Sequence, residues 1–379
     1  MREVLHELAR PRLFGTAGAS HVAAAVRARL EAAGLEVEAQ EFGFSTWPGR
    51  FAVPALGVLL AGVFVAALTL LSRGYATTAA ATLAVTVLLL LSVPFVAGPA
   101  VDRLPFGRAT GMNLVAKRPG HAARFLIVAH RDSKSQIAPL GLRILAAALI
   151  GIALTGGATA AAAGATGTAL PFVATGALAS LVFLLCSAGN ASPGALDNAT
   201  GLAALLDLAG REAAGDVAFL VTDAEEFGLA GARAAVTGWR RIEAVINLDG
   251  LDDGGPLRLL TGHGPAATRR ARPLEHTLAR AGRELGLDVR SHEVPAGLML
   301  DHLPFASAGI CALTVMRGRT RALGRVHRGA DRADRLTGEG ARAVAAIVCA
   351  TLETLRAAVP PPSAPGPSRG GVGEPDGLS

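Results

Sequence analysis

The sequence predicts an α/β domain with a mostly parallel mixed sheet and helices on both faces, interrupted by two inserted transmembrane helical hairpins. Apolar runs of strand length alternate with helical segments over most of the chain, which is the pattern of a sheet covered by helices on both faces. Four uncharged segments of membrane-spanning length interrupt that alternation. The 379 residues are 51% hydrophobic and 17% charged, a composition too apolar for a wholly soluble chain.

The α/β elements follow one another in a regular order. Residues 20–34 have helical periodicity, with a serine at the start and a glycine at the end, and the alternating sequence EVEAQEFGF after them predicts a strand. Helices at 201–213 and 268–285 separate several of the further strands, which are predicted at 112–118, 125–130, 217–223, 244–249 and 310–316. Because apolar strands alternate with helices, we expect the sheet to be largely parallel.

Two pairs of apolar segments predict the hairpins. Residues 53–71 and 76–96 have no charged side chain, and each reaches the roughly 20 residues that a helix needs to cross about 30 Å of hydrocarbon. Residues 144–164 and 169–187 form the second pair. The chain therefore divides into an α/β domain in three parts (1–50, 100–142 and 189–359), two transmembrane hairpins (51–99 and 143–188) and a Pro/Gly/Ser-rich tail (360–379) that is predicted to be disordered.

The charges beside the hairpins predict an orientation. Each hairpin enters and leaves on the same side, so the whole α/β domain faces one compartment. The opposite turns carry only Arg73, whereas the membrane ends beside the domain carry Arg50, Arg103, Arg108, Arg131, Lys134 and Arg143. The positive-inside rule then predicts an integral protein of the cell membrane whose α/β domain is cytoplasmic.

Composition also argues against other classes of protein. The net charge of +6 is spread along the chain, without basic runs interleaved with aromatic residues, which argues against nucleic acid as a partner. Cys186, Cys311 and Cys349 lie far apart in apolar stretches, as expected of buried free thiols rather than disulfides. The N-terminal sequence MREVLHELARPRLFG lacks the apolar core of a signal peptide. The lipid bilayer is the partner that the composition predicts.

Residues able to bind metal follow three of the apolar strands. His130 and Asp132 follow the strand FLIVA, Glu225 and Glu226 follow VAFLVTDA, and Asp249 ends AVINLD. In an open parallel sheet the ligand crevice lies beyond the carboxyl ends of the strands, so we expect these side chains to converge. His130 and Asp132 point to the same side of an extended chain, and a metal-binding imidazole usually donates its second N–H to a carboxylate or similar acceptor.

Two further candidates lie elsewhere in the sequence. Asp197, in the sequence PGALDNATG, precedes a helix, and His327 lies in a polar loop after the last apolar strand. Each candidate alone has a structural interpretation: Asp197 as a helix cap, Glu225 and Glu226 as a solvated loop, Asp249 as a turn residue and His327 as a surface side chain. Their expected convergence on one edge of the sheet favours a metal site.

The order of these motifs resembles a known family, the di-zinc exopeptidases of the bacterial leucyl aminopeptidase type, which also includes glutaminyl cyclases. The family has six motifs in order, and this sequence has a counterpart of each: His130-Arg131-Asp132, Gly194-Ala195-Leu196-Asp197-Asn198 with Gly201, Glu225-Glu226, Asp249, Asp301-His302 with Phe305, and His327. The segment from Pro11 to Phe42 also resembles the family's first helix and strand. The resemblance covers residues 1–46, 106–135 and 188–355.

The resemblance implies a role for each motif residue. The implied ligands of two zinc ions are His130, Asp197, Glu226, Asp249 and His327, with Asp197 bridging both ions. Glu225 is the implied general base, Asp132 orients His130, and Asp301 supports the ligands without binding metal. Two nearby cations lower the pKa of a shared water and polarise the scissile carbonyl, and an uncoordinated glutamate can carry the proton to the leaving amine. The implied activity is the removal of N-terminal residues from peptide substrates.

The sequence departs from the family pattern at three places, of which the first is Leu196, where the family often has an acidic residue. Many family members have a tyrosine near the final histidine, but Val326 precedes His327 here and the only tyrosine is Tyr75. The second hairpin also separates Ser133 from Asp197. We therefore hypothesise that the catalytic cleft opens near the membrane surface and favours membrane-associated or short apolar peptides.

The leading hypothesis is a membrane-anchored, zinc-dependent aminopeptidase. A glutaminyl cyclase with a single zinc is the first alternative, and a non-catalytic membrane scaffold of the same fold is the second. A transporter is the third, and four helices without an intramembrane charge give it little support. The presence of Glu225 and of all five ligand positions favours the aminopeptidase.

Overall fold

The computed structural model describes residues 1–211, 215–295 and 297–358. It confirms the predicted fold class, since eight strands form one mixed sheet and helices cover both of its faces. The strands are β1 (Glu36–Ser45), β2 (Arg108–Lys117), β3 (Phe125–His130), β4 (Val217–Thr222), β5 (Ala244–Leu251), β6 (Leu257–Thr261), β7 (Val289–Glu293) and β8 (Ala312–Arg317). The helices are α1 (Arg2–Leu8), α2 (Ala17–Ala32), α3 (Trp47–Ser72), α4 (Ala76–Arg103), α5 (Leu140–Ala162), α6 (Thr166–Leu184), α7 (Thr200–Arg211), α8 (Ala230–Ala235), α9 (Gly264–Glu284), α10 (His302–Ser307) and α11 (Glu339–Ala358). The tail predicted to be disordered, residues 360–379, lies outside the described residues.

The strands lie in the order β1-β2-β4-β3-β5-β8-β6-β7. The four central strands β4, β3, β5 and β8 run parallel to one another, and antiparallel pairings join β2 and β6 to them on either side. Sequence analysis did not predict β6 and β7, because the β6 sequence LRLLT has only five residues and the β7 sequence VRSHE is polar and exposed. The parallel centre brings the carboxyl ends of β3, β4 and β5 to one edge of the sheet.

The side chains of β3 show how the sequence fills both faces of the sheet. Phe125, Ile127 and Ala129 pack in a core cluster with α2, α7, α9 and α11, whereas Leu126 and Val128 pack in a second cluster with α8 and α10. Because helices cover both faces, every position of this strand is buried. This explains why β3 is a continuous apolar run rather than an alternating one.

The four apolar helices α3 to α6 form a bundle beside the sheet domain. α3 and α5 each pack against α4 and α6. Phe64 of α3 is buried in the bundle and lies against Gly176 of α6, where a Cβ atom would come within 2.3 Å of the ring. The outer surface carries exposed apolar side chains such as Leu59, Leu88 and Leu178. All four helices are long and apolar enough to cross a membrane.

Both hairpins leave the sheet domain where two chain segments are hydrogen-bonded to each other. At the base of the first hairpin, the Thr46 N–H donates to the Gly107 carbonyl oxygen over 2.8 Å. At the base of the second, Ser135 and Gly189 exchange two backbone hydrogen bonds of 2.8 Å. The domain boundaries inferred from the sequence stay predictions.

Candidate metal centre

The carboxyl ends of β3, β4 and β5 supply three parts of an acidic cluster. His130 is the last residue of β3, Glu225 and Glu226 lie in a short 3-10 turn after β4, and Asp249 lies in β5. β3 lies between β4 and β5 and is parallel to both, so the three ends are adjacent. His130 Nε2 is 3.8 Å from Asp249 Oδ1. The structure thus brings together the strand-end residues named from the sequence.

Asp197 lies between the two candidate histidines. Its Oδ1 is 3.1 Å from His130 Nε2, and its Oδ2 is 3.1 Å from His327 Nε2. Glu226 Oε1 is 3.2 Å from the same His327 nitrogen. One carboxylate therefore faces two separate imidazoles, and each imidazole has a further carboxylate beside it.

The candidate ligand atoms form two groups, in each of which they lie within 4.8 Å of one another: His130, Glu225 and Asp249, and Asp197, Glu226 and His327. Imidazole nitrogen and carboxylate oxygen are ligands that zinc accepts. Buried carboxylates at this density also need a compensating positive charge. The donor set therefore fits a metal centre. It differs from the implied set in that Glu225, the implied base, is itself a member of the first group.

Asp132 holds the turn that carries both glutamates. Its Oδ1 accepts the Glu225 N–H and its Oδ2 accepts the Glu226 N–H, each over 3.1 Å. The same Oδ1 lies 3.6 Å from His130 Nδ1, and the Asp132 carbonyl oxygen lies 3.1 Å from that nitrogen. Sequence analysis assigned Asp132 to His130 alone, and the structure adds this contact with the backbone of the glutamate turn.

Packing between α7 and β5 explains why the Asp-Asn-x-x-Gly motif contains an asparagine and a glycine. Asn198 Nδ2 donates to the Leu248 carbonyl oxygen over 2.8 Å, and its Oδ1 accepts the Gly201 N–H over 3.0 Å. A Cβ atom at Gly201 would lie 2.4 Å from the Leu248 carbonyl oxygen. The glycine therefore lets the start of α7 approach β5, which brings Asp197 close to Asp249.

Two residues that sequence analysis did not name hold the Asp197 loop. Arg12 is fully buried, and its Nη2 donates to the Gly194 carbonyl oxygen over 2.9 Å. Asp331 accepts the backbone N–H groups of Leu196 and Asp197 over 2.8 and 3.1 Å, and burial raises the pKa of Asp331 to about 6. Their local sequences, PRLFG and HRGADRADRL, resemble ordinary charged loops, so only the fold reveals this role.

Lys134 belongs to the acidic cluster rather than to the membrane ends. Its Nζ lies 2.7 Å from Glu226 Oε2, and its backbone N–H donates to Glu226 Oε1 over 3.2 Å. Burial opposes the charge on Lys134, but Glu226 and Glu225 outweigh it and raise the pKa of the ammonium group. Arg131 is likewise buried, in an ion pair with Asp223 of 2.6 Å. The charge comparison behind the predicted orientation therefore rests on the remaining arginines.

Burial and like charge set the protonation of the glutamates. Burial raises the pKa of Glu225 well above its usual value; the charge of His130 opposes this shift, and the carboxylates of Glu226 and Asp301 add to it. A carboxyl group with a raised pKa can take up a proton near neutral pH, as a general base must. For Glu226, burial acts in the same direction, but His327 and Lys134 outweigh it and lower the pKa to about 2.

The motif Asp301-His302 lies behind the cluster. Asp301 is buried, it forms a hydrogen bond with the Thr222 hydroxyl group, and burial raises its pKa to about 7. His302 Nδ1 lies 2.6 Å from Thr314 Oγ1, and His302 belongs to neither ligand group. The role of Asp301 as a support for the ligands stays a prediction.

The cluster lies in a cavity of about 550 Å³. Beyond the charged residues, its wall is largely apolar and includes Leu260, Leu300 and Met316 of the sheet domain. Val53 of α3 and Leu140 of α5 line the same cavity. Both apolar hairpins therefore contribute to the wall of the candidate site.

A cluster of histidines and carboxylates at the carboxyl edge of a mixed α/β sheet is the arrangement expected of a zinc exopeptidase. The sequence profile of Peptidase family M28 matches residues 113–352, and the chain belongs to that family. The family match confirms the resemblance seen in the motifs and supports assignment as a hydrolase. No curated protein matches the chain significantly in sequence.

Solved structures with the same fold come from two kinds of enzyme. The chain is similar to Fimbriiglobus ruber glutaminyl cyclase, with 16% identity, a TM-score of 0.55 and 93% of each chain covered. It is also similar to a leucine aminopeptidase precursor from Bacteroides thetaiotaomicron, with 13% identity, a TM-score of 0.52 and coverage of 93% of this chain and 96% of that one. An aminopeptidase from Aneurinibacillus sp. strain AM-1 matches with 15% identity, a TM-score of 0.52 and coverage of 93% and 92%. At these identities the similarity shows the fold alone.

Proposed function

We propose that the chain is a membrane-anchored, zinc-dependent aminopeptidase that hydrolyses N-terminal residues from peptides. The observation that carries this proposal is the position of the Asp197 carboxylate, which has one oxygen 3.1 Å from each of two histidines. A carboxylate shared in this way suits two neighbouring cations, because each of its oxygens can bind one. Membership of Peptidase family M28 supports the same class of reaction.

The metal ligands follow from this geometry. His130 and Asp249 would hold one zinc, Glu226 and His327 the other, and Asp197 both. When bound, the two ions supply a polarised scissile carbonyl and a water of lowered pKa. Lys134 lies 2.7 Å from the second oxygen of Glu226, Oε2, and would balance part of the negative charge of the cluster beside the metal.

Glu225 is the proposed general base. Its raised pKa suits it to accept a proton from the attacking water and to pass that proton to the leaving amine. Asp132 fixes the backbone of Glu225 through one hydrogen bond and that of Glu226 through another, so the base and a metal ligand keep a fixed separation.

The cavity wall supports a preference for apolar substrates. Leu260, Leu300 and Met316 offer an apolar surface to the N-terminal side chain, and Val53 and Leu140 extend this surface onto the apolar hairpins. We propose that short apolar or membrane-associated peptides bind best, because the cavity lies at the base of the bundle.

A glutaminyl cyclase is the second candidate, because enzymes of that kind match this chain over nearly its full length. A cyclase would convert an N-terminal glutamine and would use a single zinc, as the resemblance implies. Two separate donor groups, each with its own histidine, favour the aminopeptidase.

Purified protein in detergent tests the proposal. We expect two zinc ions per chain and release of nitroaniline from leucyl-p-nitroanilide. Glu225→Gln is expected to lower kcat by about 10²- to 10⁴-fold, because a positioned general base contributes a factor of that size. Asp102→Asn, an exposed substitution on α4, is the control and is expected to keep full activity. One zinc with cyclisation of a glutaminyl peptide would favour the cyclase, and equal turnover by wild type and Glu225→Gln would reject both candidates.

The location in the membrane is part of the proposal. The bundle would span the bilayer, with the sheet domain on the cytoplasmic side. Two cysteine variants test this orientation. Tyr75→Cys places a thiol in the exposed turn between α3 and α4, and Leu285→Cys places one at an exposed position after α9. In intact cells, a membrane-impermeant maleimide is expected to label the first variant and to label the second only after lysis. The reverse pattern would show that the sheet domain faces outward.

A further inference from the structure

The two ends of the second hairpin meet beside the loop of His327. Gln136 follows the Ser135–Gly189 pair and makes three contacts. Its backbone N–H donates to the His327 carbonyl oxygen over 2.9 Å, and its Nε2 donates to the Cys186 carbonyl oxygen over 2.9 Å. Its Oε1 accepts a hydrogen bond from Arg143 Nη1. One glutamine therefore contacts the start of α5, the chain just after α6, and a candidate metal ligand.

His327 needs such support because its backbone is strained. Its φ of +61° lies in the left-handed region, which is unfavourable for a residue with a Cβ atom. Such a conformation persists only when the surrounding structure holds it in place. The hydrogen bond from Gln136 fixes the carbonyl group of this residue. Arg143 Nη2 lies 3.3 Å from His327 Nδ1, so the hairpin side contacts both the backbone and the ring.

The tautomer of His327 decides what Arg143 does. His327 Nε2 faces Asp197 and Glu226, so a histidine that binds metal through Nε2 carries its proton on Nδ1. Arg143 cannot then donate to that nitrogen, because two N–H donors that face each other do not attract. Arg143 therefore acts on His327 through its hydrogen bond to Gln136, which in turn holds the His327 carbonyl group.

We propose that Gln136 and Arg143 are positioning residues through which the second hairpin holds His327 in place for the proposed second metal. The inference rests on the proposed function, because it concerns a ligand of that metal centre. It differs from a general role in folding, because the contacts described above join Gln136 and Arg143 to Cys186, to His327 and to each other, whereas His130 and Asp249 lie on central strands. The hairpin therefore supports one half of the metal centre, and the sheet supports the other half.

Zinc titration of the full chain in detergent tests the inference. Metal-free wild type, Gln136→Ala and Arg143→Gln are titrated against a chelating dye that reports two successive dissociation constants. We expect both variants to bind the first zinc as wild type does and the second about 10- to 100-fold more weakly, the usual effect of losing an outer contact of a metal ligand. Arg143→Lys keeps a donor for Gln136 and is expected to recover part of that loss.

Arg103→Gln is the matched control, because it removes one positive charge from an exposed position at the end of the first hairpin. It is expected to bind both ions as wild type does. Wild-type affinities at both sites in Gln136→Ala and Arg143→Gln would overturn the inference. An equal weakening of both sites together with a lower melting temperature would also overturn it, because that is the result of a general structural role. Fewer than two zinc ions in wild type would instead reject the proposed function, and this inference with it.

Discussion

Asp132→Asn tests the idea that one carboxylate organises the glutamate turn. Each Asp132 oxygen accepts one backbone N–H, from Glu225 and from Glu226, over 3.1 Å. Asparagine has the same shape but only one acceptor oxygen, so its amide group must face one of these N–H donors. Asp132 is fully buried, and water cannot replace the lost acceptor.

The size of the effect follows from these contacts. A hydrogen bond to a charged group contributes about 1.5 to 3 kcal/mol, and the remaining bond falls to the value of a neutral one, about 1 kcal/mol. Removing a negative charge from the crowded cluster offsets part of this loss in the metal-free protein. We therefore expect a net loss of about 1 to 3 kcal/mol, which lowers the melting temperature by roughly 2 to 4 °C for each kcal/mol. Zinc affinity is expected to fall about 10- to 100-fold, since Asp132 also lies beside His130.

Thermal unfolding in detergent, with and without zinc, measures both effects. Asp102→Asn is the matched control, because Asp102 pairs with Arg233 at an exposed position and such pairs contribute less than about 1 kcal/mol. An Asp132→Asn variant that melts with wild type and binds zinc equally well would refute the reasoning. The two backbone contacts would then be incidental to the site.

Three further predictions concern stability. Burial lowers the pKa of His302 from 6.5 to about 3, so the folded state binds its proton less well than the unfolded state does. The contribution of His302 to the free energy of unfolding is therefore fully present above pH 6.5 and falls by about 1.4 kcal/mol per pH unit below it, to a loss of about 2 kcal/mol at pH 5. In unfolding measurements, His302→Asn is expected to flatten this slope. Gly201→Ala should cost about 1 to 3 kcal/mol through its clash with β5, whereas Gly210→Ala in the same helix, where a Cβ meets open space, should gain up to about 1 kcal/mol; equal melting shifts would contradict this. Gly176→Leu should displace Phe64 and lower the melting temperature, with Gly167→Leu, in open space on the same helix, as its control.

The part of the fold that sequence analysis predicted is the part whose residues carry a strong local signal. β3 and β5 are buried on both faces, so their apolar runs identify them, and the side chains at their ends follow from the parallel arrangement. β7 is exposed and polar along its length, so no periodicity marks it. The family membership inferred from the order of the motifs is confirmed, while the roles of the individual site residues stay predictions.

The residues that sequence analysis missed are those whose role depends on a distant partner. Lys134 was counted among the membrane-end charges because it precedes α5 by only a few residues. In the structure its ammonium group forms an ion pair with Glu226 instead. Arg12 is 182 positions from Gly194, to which it donates a hydrogen bond, and no local pattern reports such a contact. A lysine or arginine in a loop is usually solvated, so composition favours the wrong interpretation at both positions.

The positions of the two insertions explain why the fold can still be predicted from the sequence in spite of them. The first hairpin replaces the turn between β1 and β2, whose last pair is Ser45 and Arg108, and the second is closed by the Ser135–Gly189 pair. In each case backbone hydrogen bonds hold the two ends of the insertion together. The sheet domain therefore has the same closed geometry at this place as it would have with a short turn. Loop-closure entropy rises only slowly with loop length, which makes such insertions inexpensive for the domain. The same closure places Gln136 at the base of the second hairpin. Its hydrogen bonds connect the helical bundle to the loop of His327 there.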